Sequence, residues 1–185
     1  RCWLVQLPQF QAPEEIFRDY AYFSSFSDSW VAHAKRYTDS AVERFGLTKK
    51  SFVLELASND GYLLRHFIQQ GIPCLGVEPA VNVAQVARQN QIPTLDEFFG
   101  VALADKLLAE GKSADLVIAN NVLAQVPDLK DFVAGIAKVL KPYGVVTAEF
   151  PHLLHTLQKN EFDQIYHEHF SYFSLHAIQQ AFESQ

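Results

Sequence analysis

Val53-Leu-Glu-Leu-Ala-Ser-Asn-Asp-Gly61 is the stretch whose reading decides the fold. An apolar run over 51–57 reads as a buried strand, a turn of small and polar residues follows, and a helix is expected over 60–70, closed by Gly71. The same rhythm continues downstream. Strands are expected at 74–78, 92–95, 115–119 and 145–150, and helices at 80–90, 99–110 and 128–140. Pro127-Asp128 opens the last of these helices, and Lys141-Pro-Tyr-Gly144 turns the chain into the last strand. Apolar strands alternating with helices predict an α/β, Rossmann-like core: a parallel-rich sheet with helices on both faces.

Upstream the pattern differs. Residues 1–12 read as extended, Pro13-Glu14-Glu15 carries a helix-start signature, and Tyr20-Ala-Tyr-Phe-Ser-Ser-Phe-Ser27 reads as a loop. Asp28 is expected to cap a longer helix with Trp30, Val31, Ala34, Tyr37, Ala41 and Phe45 on its apolar face, ended by Gly46. The chain therefore divides into a lead-in over 13–50, the nucleotide-binding core over 51–150 and a closing segment over 151–185.

Bulk properties narrow the function. The 185 residues suffice for one core with extra elements, and 15 phenylalanines favour a compact fold. A net charge of −6 argues against nucleic acid, whose phosphates need a basic face. No apolar stretch approaches the roughly 18 residues of a membrane span, and no signal peptide is read at the start. Two cysteines fit a reducing, cytoplasmic setting; Cys74 reads as an inert core thiol. A start without Met and a last helix ending abruptly after its Ser174 cap suggest a piece of a longer chain.

In such a fold, ligands bind at the carboxyl ends of the strands. Ala57 and Gly61 allow close backbone approach to a ligand, with Asn59 between them. Glu78 ends the second strand, where it can accept hydrogen bonds from ribose hydroxyls, and Pro79 stops that strand. Asn120 and Asn121 end the fourth. Phe98 can pack on an adenine or simply in the core. A dinucleotide loop wants three glycines and this one keeps only the last. Glu55 begins instead the pattern Glu-x-small-x-x-x-Gly of S-adenosylmethionine enzymes.

A second concentration of chemistry lies at Phe162-Asp-Gln-Ile-Tyr-His-Glu-His-Phe-Ser-Tyr-Phe-Ser174. Tyr166, His167, Glu168 and His169 sit among aromatic residues, where burial moves pKa values toward what a base or acid needs. A satisfied structural cluster would account for any one histidine; four such groups in a row point to a site. His152 and His155 with His167 and His169 also admit a metal site, although Phe150-Pro151 opens a helix that the first two would cap or flank.

Taken together, Cys2-Trp-Leu-Val-Gln-Leu7, Tyr20-Ala-Tyr-Phe-Ser-Ser25, Glu55–Leu64, Gly76-Val-Glu-Pro79, Ala119-Asn-Asn-Val-Leu123 and Phe162–Ser174 resemble the S-adenosylmethionine-dependent sugar C-methyltransferases of deoxysugar biosynthesis. The resemblance covers essentially the whole chain. It implies a class I methyltransferase core that methylates a carbon next to a ketone on a nucleotide-linked deoxysugar, as a monomer, with no nucleic acid or membrane partner. It also implies an amino-terminal zinc module, of which residues 1–12 with Cys2 would be a remnant; one thiolate cannot hold zinc, so zinc belongs to the full-length protein alone. His169 is then the expected base, Glu168 its partner or second acid/base group, Tyr166 a hydroxyl donor, and Tyr22 (or Tyr20) the residue that closes the site. Ser25, with Ser24, would bind the donor's carboxylate end or a sugar hydroxyl. Gln125 departs from the family, which often has histidine there, and this leaves the particular sugar open. Two rivals remain at this level. One is an NAD-dependent nucleotide-sugar oxidoreductase or epimerase, although no tyrosine has a lysine four residues on. The other is a non-catalytic scaffold that keeps the donor pocket.

Overall fold

The computed structural model describes residues 3–185, so the expectation for Cys2 lies outside the described residues. In chain order, a short strand β1 (Val5–Gln6) and helix α1 (Pro13–Phe17) precede the long helix α2 (Asp28–Phe45). Ser27, not Asp28, caps α2: its hydroxyl accepts from the Trp30 amide, which leaves Asp28 to place its charge in the first turn. Gly46 ends α2 in the left-handed region, φ 62°.

The core then alternates: β2 (Val53–Leu56), α3 (Leu64–Gln69), β3 (Cys74–Val77), α4 (Val81–Gln89), β4 (Thr94–Leu95), α5 (Val101–Ala109), β5 (Ala114–Asn120), α6 (Leu129–Val139) and β6 (Leu140–Glu149). The five strands form one parallel sheet in the order β4-β3-β2-β5-β6. The order reverses between β2 and β5, the switch point at which such sheets open a crevice. Both faces are covered, so β2 and β3 are buried at every position, and apart from Glu55 they read as apolar runs. Alternation assigns the faces. Leu54 and Leu56 join the cluster under α5 and α6, whereas Val53 joins the cluster under α2 and α3. This is the α/β fold expected of the sequence.

Two elements differ from expectation. The helix expected from residue 60 starts only at Leu64, because Ala57, Asn59 and Gly61 hold left-handed backbone (φ 55°, 50° and 78°) and coil the intervening loop. A Cβ at Gly61 would lie 2.6 Å from Ile92 Cγ1, so glycine is required there on both counts. The expected turn at 141–144 is instead the beginning of β6, whose register shifts between Ala114 and Leu116; the irregularity absorbs Pro142 at the sheet edge.

After β6 come α7 (Leu153–Lys159), β7 (Ser171–Tyr172) and α8 (Leu175–Glu183). His152 caps α7, its Nδ1 accepting from the Leu154 amide, and Ser174 caps α8. β7 pairs antiparallel with β1 in a separate two-stranded sheet. Among the described residues, no helix is long and apolar enough to cross a membrane, and no group of three or more His, Cys, Asp or Glu converges on a metal position.

Candidate active site

A cavity of about 560 Å³ opens at the carboxyl ends of the strands, on the switch point between β2 and β5. Its floor at one end is the β2–α3 loop. Asn59 organises that loop: its amide donates to Glu78 Oε2 at 2.9 Å, its side-chain oxygen accepts from the Ser24 amide at 2.8 Å, and its Nδ2 donates to the Tyr22 carbonyl at 3.1 Å. Asp60 is fully buried beside it and accepts from both the amide and the hydroxyl of Ser25. The 20–26 loop, far away in sequence, is thereby bolted over the loop that the strand presents.

Glu78 lines the cavity and spends both oxygens on backbone, accepting from Asn59 and, at 2.9 Å, from the Ala80 amide. Burial raises its carboxyl above the usual range, an effect these two amides offset only in part. Each oxygen retains a further lone pair for a ligand. Ala57, Asn59, Pro79, Phe98, Asn120, Asn121 and Tyr22 also line the cavity.

Three expected donor residues do not line the cavity. Ser25 is turned to Asp60, and Gly61 faces Ile92. Glu55 shares the parity of Val53 and so points into the α2/α3 face, where its Oε2 has no hydrogen-bond partner among the described residues. Burial, followed by the neighbouring Glu78 and Asp60, raises its pKa well above the ordinary value, so it is held as the neutral acid.

The other end of the cavity carries the histidine chemistry. His169 is buried and lines the cavity together with Tyr166 and Gln164. Its Nδ1 lies 2.9 Å from the Gln164 carbonyl and its Nε2 lies 3.2 Å from the Tyr166 hydroxyl. A carbonyl can only accept, so Nδ1 carries the proton, and the Nε2 lone pair, at the cavity wall, accepts from the Tyr166 hydroxyl. Burial lowers the pKa of His169, and the Gln164 carbonyl and Glu168 partly restore it. The ring is therefore neutral near pH 7. A neutral imidazole whose unprotonated Nε2 is met only by a tyrosine hydroxyl becomes a base once that hydroxyl turns to another acceptor.

Glu168 does not line the cavity itself but stands behind it, accepting from the Tyr20 hydroxyl at 3.3 Å. Burial first, and Glu168 next, raise the Tyr20 pKa, which keeps that hydroxyl protonated and donating. Tyr20 thus meets the acid of the histidine segment, whereas Tyr22, about half exposed at 54%, stands nearer the mouth and gives its carbonyl to Asn59. His167 is exposed outside the group. Gln125 lines the cavity at the end of a short 3-10 turn over Leu123–Gln125.

The lining also includes residues that sequence reasoning left in the core or on helix faces. Trp30, at the start of α2, stacks near Tyr62 with ring centroids 6.2 Å apart. Asp128 and Asp131, which cap and begin α6, reach the same cavity, as do Glu14 and Phe17 of α1. With Glu78 these make an acidic lining that, among the described residues, includes no lysine or arginine. Such a lining suits a cationic sulfonium. The loop agrees, since the side chains of Ala57 and Asn59 occupy places where a dinucleotide loop keeps glycines.

Comparison with known proteins gives a consistent picture. Residues 30–185 match the family model described as a methyltransferase domain. The C-methyltransferase NovU of Streptomyces niveus is 37% identical over 184 residues, which is 100% of this chain and 44% of that protein; the chain thus spans less than half of that relative. Among solved structures, the PH0226 protein of Pyrococcus horikoshii superposes with a TM-score of 0.70 at 17% identity, covering 95% of this chain and 89% of that one. A SAM-dependent methyltransferase from Archaeoglobus fulgidus gives 0.64 at 14% identity, over 81% of this chain and 67% of that one. At these identities the two structures speak for the fold alone.

Proposed function

The chain belongs to the methyltransferase-domain family, and from that premise we propose that it is the donor-binding part of an S-adenosylmethionine-dependent C-methyltransferase acting on a carbon next to a ketone of a nucleotide-linked deoxysugar. The observation that carries this reading is His169: a buried, neutral imidazole in the cavity, with its proton fixed on Nδ1 and Nε2 left as base. The similarity to a C-methyltransferase over the whole chain supports carbon as the acceptor.

In this mechanism the acceptor carbon lies against Nε2 of His169, which takes its proton as the carbonyl becomes an enolate. Tyr166 turns its hydroxyl from Nε2 to the enolate oxygen and donates to the charge developing there. Glu168 stabilises the imidazolium that forms, and Tyr20 holds Glu168 in place. S-adenosylmethionine, when bound, supplies an electrophilic methyl on cationic sulfur, which the enolate carbon gains as the sulfur leaves with the C–S electron pair. Glu78 would hold the ribose hydroxyls, Asn120 and Asn121 the neighbouring polar groups, Phe98 the adenine face and Ser24 the donor's carboxylate end or a sugar hydroxyl, while Tyr22 would close the mouth. Zinc would be held by a module beyond this core.

Calorimetric titration with S-adenosylhomocysteine, with NAD in parallel, tests the donor half. Binding of the former alone is expected, and binding of NAD alone would overturn the proposal. Given donor binding, the intact protein with a nucleotide-linked keto-sugar should catalyse exchange of the α-proton with deuterated water. A protein that binds donor yet neither exchanges this proton nor transfers methyl is the scaffold of the rival reading.

A further inference from the structure

The segment that carries His169 is held from two sides by elements remote in sequence. Phe170, the next residue, donates its amide to the Ala124 carbonyl at 2.7 Å. Its own carbonyl accepts from the Leu7 amide at 3.0 Å. From there β1 runs antiparallel to β7, Val5 opposite Tyr172 and Gln6 opposite Ser171, and Gln6 Nε2 reaches Ser171 Oγ at 3.4 Å. One residue further out, Leu4 packs against the main core cluster. The peptide groups flanking Phe170 are therefore fixed by the turn that ends in Gln125 on one side and by the amino-terminal strand on the other.

We propose that the strand Val5–Gln6 and the amide of Leu7 form a strap that positions His169, making Leu7 a positioning residue for the base. The physical reason lies in the balance of contacts. Phe170, Ser171, Tyr172 and Phe173 are all buried, but the turn before them is not: Phe162 is 75% exposed and Ile165 53%. Upstream of His169 the ring is met by the Gln164 carbonyl and Tyr166 within its own turn. Apart from the single Tyr20 hydroxyl on Glu168, the side-chain and backbone restraint that ties this turn to elements remote in sequence comes from Phe170 onward, where the strap lies. A two-stranded ladder of two residues has little stability of its own, so it opens and closes more readily than the main sheet. The state of the amino-terminal segment would thus be passed directly to the base.

The inference draws its meaning from the reading of His169 as a base, but its test uses neither donor nor acceptor. The test is imidazole titration by NMR on histidine-labelled protein, with His169 assigned by the signal lost in His169→Gln. The titratable groups facing the ring are Tyr166 at 3.2 Å, Tyr172 with ring centroids 6.3 Å apart, and Glu168, whose carboxyl in turn accepts from Tyr20. Leu7→Pro removes the donor to Phe170 in an already extended segment. Its expected effect is to move the His169 midpoint up toward about 6.5, the value of an unhindered histidine, with loss of the fixed Nδ1–H tautomer and unchanged circular dichroism. Gln6→Ala should shift it the same way by less, and it is the deciding variant should Leu7→Pro fail to fold. A folded variant in which His169 titrates as in the unmodified protein overturns the strap while leaving the methyl-transfer reading standing. Conversely, a catalytic His169→Asn variant would remove His169 as the base without touching the strap.

Discussion

The two ends of the cavity are built on opposite plans. At the donor end, Glu55, Ser58, Asn59, Asp60 and Glu78 are all at most 8% exposed and sit on or just beyond strands at the centre of the sheet. At the proposed acceptor end His169 is itself buried, at 8%, but its neighbours Tyr166, 36% exposed, and Ile165, 53%, lie on a turn outside the main sheet. Position and stability are coupled at the first end, since a change there also disturbs the core. They are largely separate at the second, where a side chain can be altered for its chemistry with less effect on the fold. The comparison predicts which substitutions will strike binding, which turnover and which stability.

The largest effect is expected at the acceptor end. His169→Asn in the intact enzyme should lower methyl transfer by about 10²–10⁴-fold, the usual contribution of a positioned base, while S-adenosylhomocysteine affinity stays within about twofold. A parallel loss of donor affinity would break the separation of the two ends, and retained turnover would remove His169 as the base. At the donor end Glu78→Ala should cost both. Donor affinity should fall by about 1.5–3 kcal/mol, typical of a charged hydrogen bond, and thermal stability should fall too, because the Asn59 and Ala80 amides lose their acceptor. Calorimetry and a melting curve on one variant check both halves; lost affinity at unchanged stability would mean the loop holds itself.

Glu55 sharpens the contrast through pH. Its pKa in the folded protein lies well above the ordinary value, mainly from burial. Above the unfolded value, near 4.5, the unfolded chain has lost that proton and the folded one has kept it. Stability from this group is therefore lost as pH rises, at about 1.4 kcal/mol per pH unit until the folded pKa is reached. Glu55→Gln is neutral in both states and should gain stability relative to the parent as pH rises above the unfolded value. His169 contributes in the opposite direction, its lowered pKa costing stability as pH falls below about 6.5. It is common to both proteins and cancels in the difference. A pH-independent gap in melting temperature would mean that Glu55 is ionised in the fold.

Much of the donor end was legible in the sequence, because a strand that ends in small residues before a helix states both its element and its ligand-facing edge. Ala57, Asn59, Glu78 and Asn120 could be placed on the cavity from that alone. Glu55 could not, since the period of two along β2 turns it to the other face, and only the face assignment reveals it. The left-handed Ala57 and Asn59, which delay α3 to Leu64, carry no residue signal of the glycine kind. At the acceptor end the cluster of ionisable groups was visible, but not its order. That Gln164 fixes the tautomer with a backbone carbonyl, or that Phe170 is held by Leu7, depends on chain folding that no spacing encodes. Trp30 and Asp131 were missed for a related reason: at the start of a helix the same residues serve a cap, a core or a cavity equally well.

Tyr20 is where the two plans meet, and it should show the smallest effect. Its backbone is pinned on the donor side, the amide donating to Asn82 Oδ1 at 3.1 Å and the carbonyl accepting from Asn82 Nδ2 at 2.8 Å. Its hydroxyl alone crosses to Glu168. Tyr20→Phe keeps the ring and the backbone pins and removes only that crossing. Turnover should fall by about 0.5–1.5 kcal/mol, a few-fold to roughly tenfold, as Glu168 loses its donor and holds the imidazolium less well. Donor affinity and melting temperature should hardly move. Measuring kcat and KM against donor affinity on this one variant separates the alternatives. A drop in kcat alone means that Tyr20 acts through Glu168 on the base. A drop in donor affinity of the same size means that the 20–26 loop, bolted to Asn59 and Asp60, transmits the change, and that the two ends of the cavity work as one unit.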